Sequence, residues 1–169
     1  RWLHGFDIER HLLAHFERIK DCTACPLGAT RTPFVFGTGN PQAEVLFVGE
    51  AHGEQEDKQG LPFVGPAGQL LTRMLLAHGI ARDDVFICNV LKCRPPDNRP
   101  PQEEEIAACE PHLLEQIKLV KPKIIVALGR FAAQTLLQSA KPVRQLRGRW
   151  SRLHDADLRA TYHPSAILR

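Results

Sequence analysis

The chain has 169 residues, one domain's worth and enough to bury a single core. Its 43% hydrophobic and 24% charged residues exclude a disordered chain, and no run approaches the roughly 20 apolar residues that would cross a bilayer. The net charge of +3 hides an asymmetry: seven Lys or Arg against two Asp lie between Lys141 and Arg169, the balance of a polyanion-binding surface or of a solvated one.

Residues 1–21 read as an N-terminal helical segment, with an amphipathic helix over Asp7–Ile19. Three short apolar runs rich in β-branched residues, Val45–Val48, Val85–Cys88 and Ile124–Leu128, predict strands covered on both faces. Between the first two lies a helix over Pro66–His78, with Leu70, Leu71, Met74 and Leu75 on one face and Gly79 as its stop. Between the second and third lies Gln102–Val120, opened by three glutamates and kinked or divided at Pro111. A helix over Phe131–Gln138 and a weaker strand near Arg159–Tyr162 follow. This alternation predicts one domain over 1–169, a parallel sheet with helices on both faces.

Ligands of such sheets bind beyond the carboxyl ends of the strands. There the sequence places Gly49-Glu50-Ala51-His52-Gly53, Asn89-Val90-Leu91-Lys92-Cys93-Arg94-Pro95-Pro96, Gly129-Arg130 and His163-Pro164-Ser165. The five cysteines divide as well. Cys22 and Cys25 form a CxxC loop, Cys93 follows a strand, Cys109 sits on the next helix, and Cys88 lies inside an apolar strand as a core residue. Four thiolates suit zinc or a [4Fe–4S] cluster, unligated buried thiols being the plain alternative.

Gly49–Asp57, Leu61-Pro62-Phe63-Val64-Gly65, Asn89–Pro96 and His163-Pro164-Ser165 stand in the order of the family-4 uracil-DNA glycosylases, which the chain resembles from about Cys22 onward. The resemblance implies a three-layer α/β/α fold around a four-stranded parallel sheet. It maps a structural [4Fe–4S] cluster onto Cys22, Cys25, Cys93 and Cys109, with zinc as the alternative. The expected partner is uracil in single- or double-stranded DNA, in the cytoplasm of a bacterium or archaeon with no membrane involved, and a single DNA-facing domain suggests a monomer.

By the same likeness Phe63 stacks on a flipped base, Asn89 reads its edge, and His163 donates toward O2 as the base departs. Without the family these three would read as a core aromatic, a strand-end turn residue and a turn histidine. Glu50 positions or activates water and steadies the cationic sugar. Ala51 and Gly53 complete the substrate loop, Ala51 standing where other uracil glycosylases carry an aspartate. Glu56 and Asp57 either serve the chemistry or cap the following loop. Lys92, Arg94 and Arg99 on a proline-stiffened loop, with Ser165, Ile167, Leu168 and Arg169, are the expected DNA contacts.

Two features depart from the family. His52 replaces a customary proline, and the chain stops where family members continue into a final helix, so a trimmed C-terminus is expected. No His lies between Asn89 and Cys109, so turnover is expected and not a covalent DNA adduct. The competing expectation is an iron–sulfur DNA-binding module of the same fold with impaired or altered catalysis.

Overall fold

A computed structural model describes residues 5–168, and side chains from Ile8 onward. Its elements run α1 (Gly5–Ile19), α2 (Leu27–Thr30), β1 (Thr38–Gly39), β2 (Val45–Gly49), α3 (Glu54–Gln59) and α4 (Pro66–Ala77), then β3 (Phe86–Asn89), α5 (Glu103–Val120), β4 (Ile124–Leu128) and α6 (Arg130–Leu137). The last are α7 (Val143–Leu146), β5 (Trp150–Leu153), β6 (Ala156–Thr161) and α8 (Pro164–Leu168).

The sheet has six strands in the order β1-β3-β2-β4-β6-β5. Its inner four, β3-β2-β4-β6, are all parallel, while β1 and β5 join the edges antiparallel. The expected four-stranded parallel sheet is therefore the core of a mixed, six-stranded one. The two added strands lack a strand signature for physical reasons. β1 is two residues long, and β5 carries exposed Trp150 and Arg152 because an edge strand faces water on its outer side. The β5–β6 hairpin turns at His154-Asp155, both at positive φ, as a two-residue primed turn requires.

Side-chain alternation along the inner strands divides the core. Leu46, Val48, Phe86, Cys88, Ile125 and Ala127 face α1, α5 and α6, while Phe47, Ile87 and Leu128 face α4. Of the expected kink or division at Pro111, the division does not occur: α5 is one helix through it. Pro111 lies on its exposed side, and Cys109, Leu113, Gln116, Ile117 and Val120 bury the two halves as one face. On α4 the buried stripe is Gly68, Leu71 and Leu75, and Met74 is exposed contrary to the periodicity.

Gly68 fixes how closely α4 approaches the loop before it. A β-carbon there would lie 1.9 Å from the Phe63 carbonyl oxygen. Alanine ordinarily gains about 1 kcal/mol over glycine in a helix, but this neighbour is backbone and cannot rotate away. Gly68→Ala is therefore expected to destabilise by about 1–3 kcal/mol, as overpacked sites do, read from the denaturant midpoint at constant slope.

Candidate active site

The carboxyl ends of all four parallel strands meet in one cleft. Backbone bonds from Val90 to Gly49, from Leu91 to Glu50 and from Gly129 to Thr161 tie the strand ends together. The inner part is a chamber of about 290 Å³, lined by Ala51, His52, Gly53, Phe63, Asn89 and His163 among others. It adjoins a groove of about 580 Å³ lined by Glu50, Pro95, Arg99, Arg130, Tyr162 and Ser165. Ala51, His52, Gly53 and His163 belong to both.

Phe63 and Asn89 form the chamber's buried wall. A β-carbon at Gly49 would fall 2.5 Å from both the Asn89 Oδ1 and the Phe63 Cζ, so only glycine lets these side chains converge. Asn89 Oδ1 is buried and accepts no hydrogen bond. An unsatisfied buried acceptor costs about 1–3 kcal/mol, and such a group at a chamber wall is poised for a ligand's donor.

Phe63 has φ 54°, the left-handed region, which costs a non-glycine residue about 1–2 kcal/mol. Its loop is gripped on two sides. The Glu56 carboxylate accepts the amides of Gly53 (3.2 Å), Val64 (3.2 Å) and Gly65 (3.0 Å). The Arg82 guanidinium donates to the carbonyls of Pro62 and Phe63 and reaches Thr72 Oγ1 at 3.3 Å. Glu56 is thus a loop-capping carboxylate, one of the two roles its sequence left open.

His163 sits at the end of β6 with its ring centroid 5.6 Å from that of Phe63. Its Nδ1 accepts the Ser165 amide at 3.1 Å and lies 2.8 Å from the Ser165 hydroxyl. A nitrogen that accepts an N–H carries no proton of its own, so the neutral ring holds its proton on Nε2 as a donor. Ser165 fixes that tautomer.

His52 is buried, with Nε2 3.2 Å from Asp57 Oδ1 and Nδ1 without a partner. Burial lowers its pKa below the usual 6.5 and Arg94 adds to this, while Asp57 and Glu56 pull the other way. The folded pKa lies below the unfolded one. The neutral ring therefore contributes stability that is complete above about pH 6.5 and lost as pH falls through the folded value. Denaturant midpoints of His52→Gln should fall less than those of the parent protein between pH 7 and pH 5.

Lys92 is corrected by the structure. Placed among the DNA contacts, it is fully buried, because Nζ donates inward to the Asn89 carbonyl (2.8 Å) and to Gln116 Oε1 (2.6 Å). Gln116 in turn donates to the Phe36 carbonyl at 2.8 Å. Lys92 therefore braces the strand end that carries Asn89 and meets no phosphate.

Arg94 donates to Asn98 Oδ1 at 2.8 Å. Arg99 makes a two-pronged pair with the buried Glu105 carboxylate at 2.8 and 2.7 Å, its side chain one-third exposed on the groove. Ile167 and Leu168 are exposed, Ser165 lines the groove, and Arg169 lies outside the described residues. Arg130, which the sequence placed at a strand end, lines the groove, whereas sequence reasoning missed Arg82, which nothing local marked.

Cys93 lies near enough to Cys22 and Cys25 to feel their charge, as Cys109 does to Cys93 and Cys25, while Cys88 stays in the core; all five are free thiols. Burial pushes the Cys109 thiol up to about 11, with Cys93 and Cys25 adding to the shift. Burial also raises Cys93, which Cys25 and Cys22 raise further. A bound cation would offset the burial that disfavours the thiolate forms of Cys93 and Cys109. N–H groups also face two of the sulfurs, Arg31 to Cys93 at 3.2 Å and the Lys92 amide to Cys109 at 3.3 Å, and His112 Nε2 lies 3.3 Å from Cys22 Sγ. Among the described residues, no three His, Cys, Asp or Glu side chains converge on the position of a single ion, so the geometry gives zinc no support.

A strand-end chamber opening into a groove that carries Arg99 and Arg130 suits a base and its phosphate backbone, and the comparisons agree. The family model of the Uracil DNA glycosylase superfamily matches residues 36–169. A type-4 uracil-DNA glycosylase of Thermotoga maritima is 50% identical over 157 residues, 90% of this chain and 81% of that one. One of Archaeoglobus fulgidus is 45% identical over 160 residues, 89% of this chain and 79% of that one. A type-5 uracil-DNA glycosylase of Pyrobaculum aerophilum is 32% identical over 148 residues, covering 76% and 64%. The chain belongs to the uracil-DNA glycosylase superfamily, in its type-4 branch.

Proposed function

We propose that this protein is a monofunctional uracil-DNA glycosylase of base-excision repair, hydrolysing the bond between uracil and deoxyribose and leaving an abasic site. The observation that carries the reading is the unpartnered Asn89 Oδ1, buried in a chamber that Phe63 and His163 also line.

A base inside a duplex is out of reach, so the nucleotide is extruded into the chamber at a cost of a few kcal/mol. Phe63 takes the face of the ring. Asn89 Oδ1 accepts from uracil N3–H while its amide donates to O4. Cytosine offers the reverse pattern and leaves both groups unsatisfied. The C1′–N1 bond breaks with its electron pair passing to the base, and His163 Nε2–H donates to O2 where that charge gathers. Glu50 faces the cationic sugar and the water whose oxygen bonds to C1′; the water's proton leaves to solvent or to the base. Ala51 and Gly53 leave room on the water's side.

Lys92, buried and held by two hydrogen bonds, is no Schiff-base nucleophile, in keeping with hydrolysis without strand cleavage. Arg94, Arg99, Ser165, Ile167 and Leu168 are the proposed contacts to uracil-containing DNA, single- or double-stranded. The protein acts as a cytoplasmic monomer. Among the described residues no helix is long and apolar enough to cross a membrane. Cys22, Cys25, Cys93 and Cys109 are the proposed ligands of a [4Fe–4S] cluster, which when bound supplies cross-linking of the DNA-facing loops and no step of the hydrolysis. Cys93→Ala is expected to abolish the broad absorbance near ~400 nm and to lower the melting temperature by roughly 5 °C or more.

Incubation with a uracil-containing oligonucleotide followed by alkali tests the function. Scission at the uracil position is the expected result. Salt-sensitive binding without scission would contradict it and favour the non-catalytic DNA-binding module.

A further inference from the structure

We infer that Arg82 is a positioning residue for the base-stacking wall. By clasping the carbonyls of Pro62 and Phe63, it holds Phe63 in the left-handed backbone conformation that presents its ring to the chamber. The inference rests on the uracil-excision reading above.

The dihedrals of a residue set how the carbonyls on its two sides are directed. In an extended chain successive carbonyls point opposite ways, whereas in a helical-type turn of either hand they lie nearly parallel. One planar guanidinium grasps both most readily when they point the same way. The clasp therefore favours one family of conformations at Phe63 and weakens when the residue relaxes toward the extended region it would otherwise favour.

Positive φ at a bulky aromatic persists only where the surroundings over-determine it. Gly68 lets α4 close on the Phe63 carbonyl from one side, and Glu56 anchors the amides of Val64 and Gly65 beyond it. Among the described residues, Arg82 alone bonds the carbonyls on both sides of Phe63. Its third contact, Thr72 Oγ1, itself donates to the Gly68 carbonyl at 3.0 Å, so the clasp is seated on α4. Arg82 does not line the chamber, so its influence on it passes through the loop it clasps.

Arg82→Lys keeps the charge but offers a point donor in place of a fork, and Arg82→Gln removes the charge. Both are compared with the parent protein by melting temperature, single-turnover excision, inhibition by free uracil, and affinity for an abasic-site duplex. Expected is a 10- to 100-fold slower excision and at least tenfold weaker uracil inhibition. Abasic-DNA affinity should stay within about twofold and melting within a few degrees.

Unchanged excision and uracil inhibition in both variants would overturn the inference. So would equal losses of uracil and abasic-DNA affinity, because that pattern marks general loosening. Thr72→Val, which leaves the carbonyls and the bulk in place, should show the same split at three- to tenfold, and it decides the matter if the Arg82 variants do not fold. Failure of the underlying reading is distinct: the parent protein itself would then release no uracil.

Discussion

Replacing Asn89 with alanine is expected to slow single-turnover uracil excision by about 10²- to 10³-fold. In the proposed complex the side chain supplies an acceptor and a donor to one edge of the base. Removing it leaves uracil N3–H and O4 buried and unpaired, at about 1–3 kcal/mol for each group. Each 1.36 kcal/mol is tenfold in rate. Inhibition by free uracil should weaken in parallel, because the lost bonds belong to the base and not to the DNA backbone. Abasic-site DNA should bind as before. The fold should survive, since the Asn89 carbonyl still receives Lys92 and the Oδ1 has no protein partner to lose.

His163→Ala is expected to cost a comparable 10²- to 10³-fold, with a different signature. A single donor aimed at developing negative charge contributes about 3–4 kcal/mol in the transition state. Little of this is present while uracil is intact and neutral, so the rate should fall with nearly unchanged substrate affinity. The amide that fixes the histidine tautomer is backbone, so Ser165→Ala removes only the hydroxyl 2.8 Å from Nδ1. It should cost less than about tenfold. A loss equal to that of His163→Ala would show the hydroxyl, and not the Ser165 amide, to be what sets the ring.

The parallel core and the strand-end loops were legible because both-face burial leaves a continuous apolar run, as in Val45–Val48 and Ile124–Leu128. The edge strands were not legible. Half of β5 faces water, so its composition matches the Arg-rich segment in which it sits. Phe63, Asn89 and His163 were singled out because each lies in a long ordered motif, and all three line one chamber. Lys92 was misplaced because a lysine beside Cys93 in a proline-rich loop looks solvent-bound. Its burial depends on Gln116, 24 residues on, whose side chain no local pattern aims inward. Arg82 was missed for the same reason: its partners at 62, 63 and 72 are joined to it by the packing of α4.

A crystal structure of the protein with abasic DNA and free uracil tests most directly whether these three side chains hold a pyrimidine. The expected result is a ring stacked on Phe63, with Asn89 within about 3.2 Å of N3 and O4 and His163 Nε2 within about 3.2 Å of O2. Uracil bound elsewhere, or bound in the chamber with Asn89 still unpaired, would contradict the account.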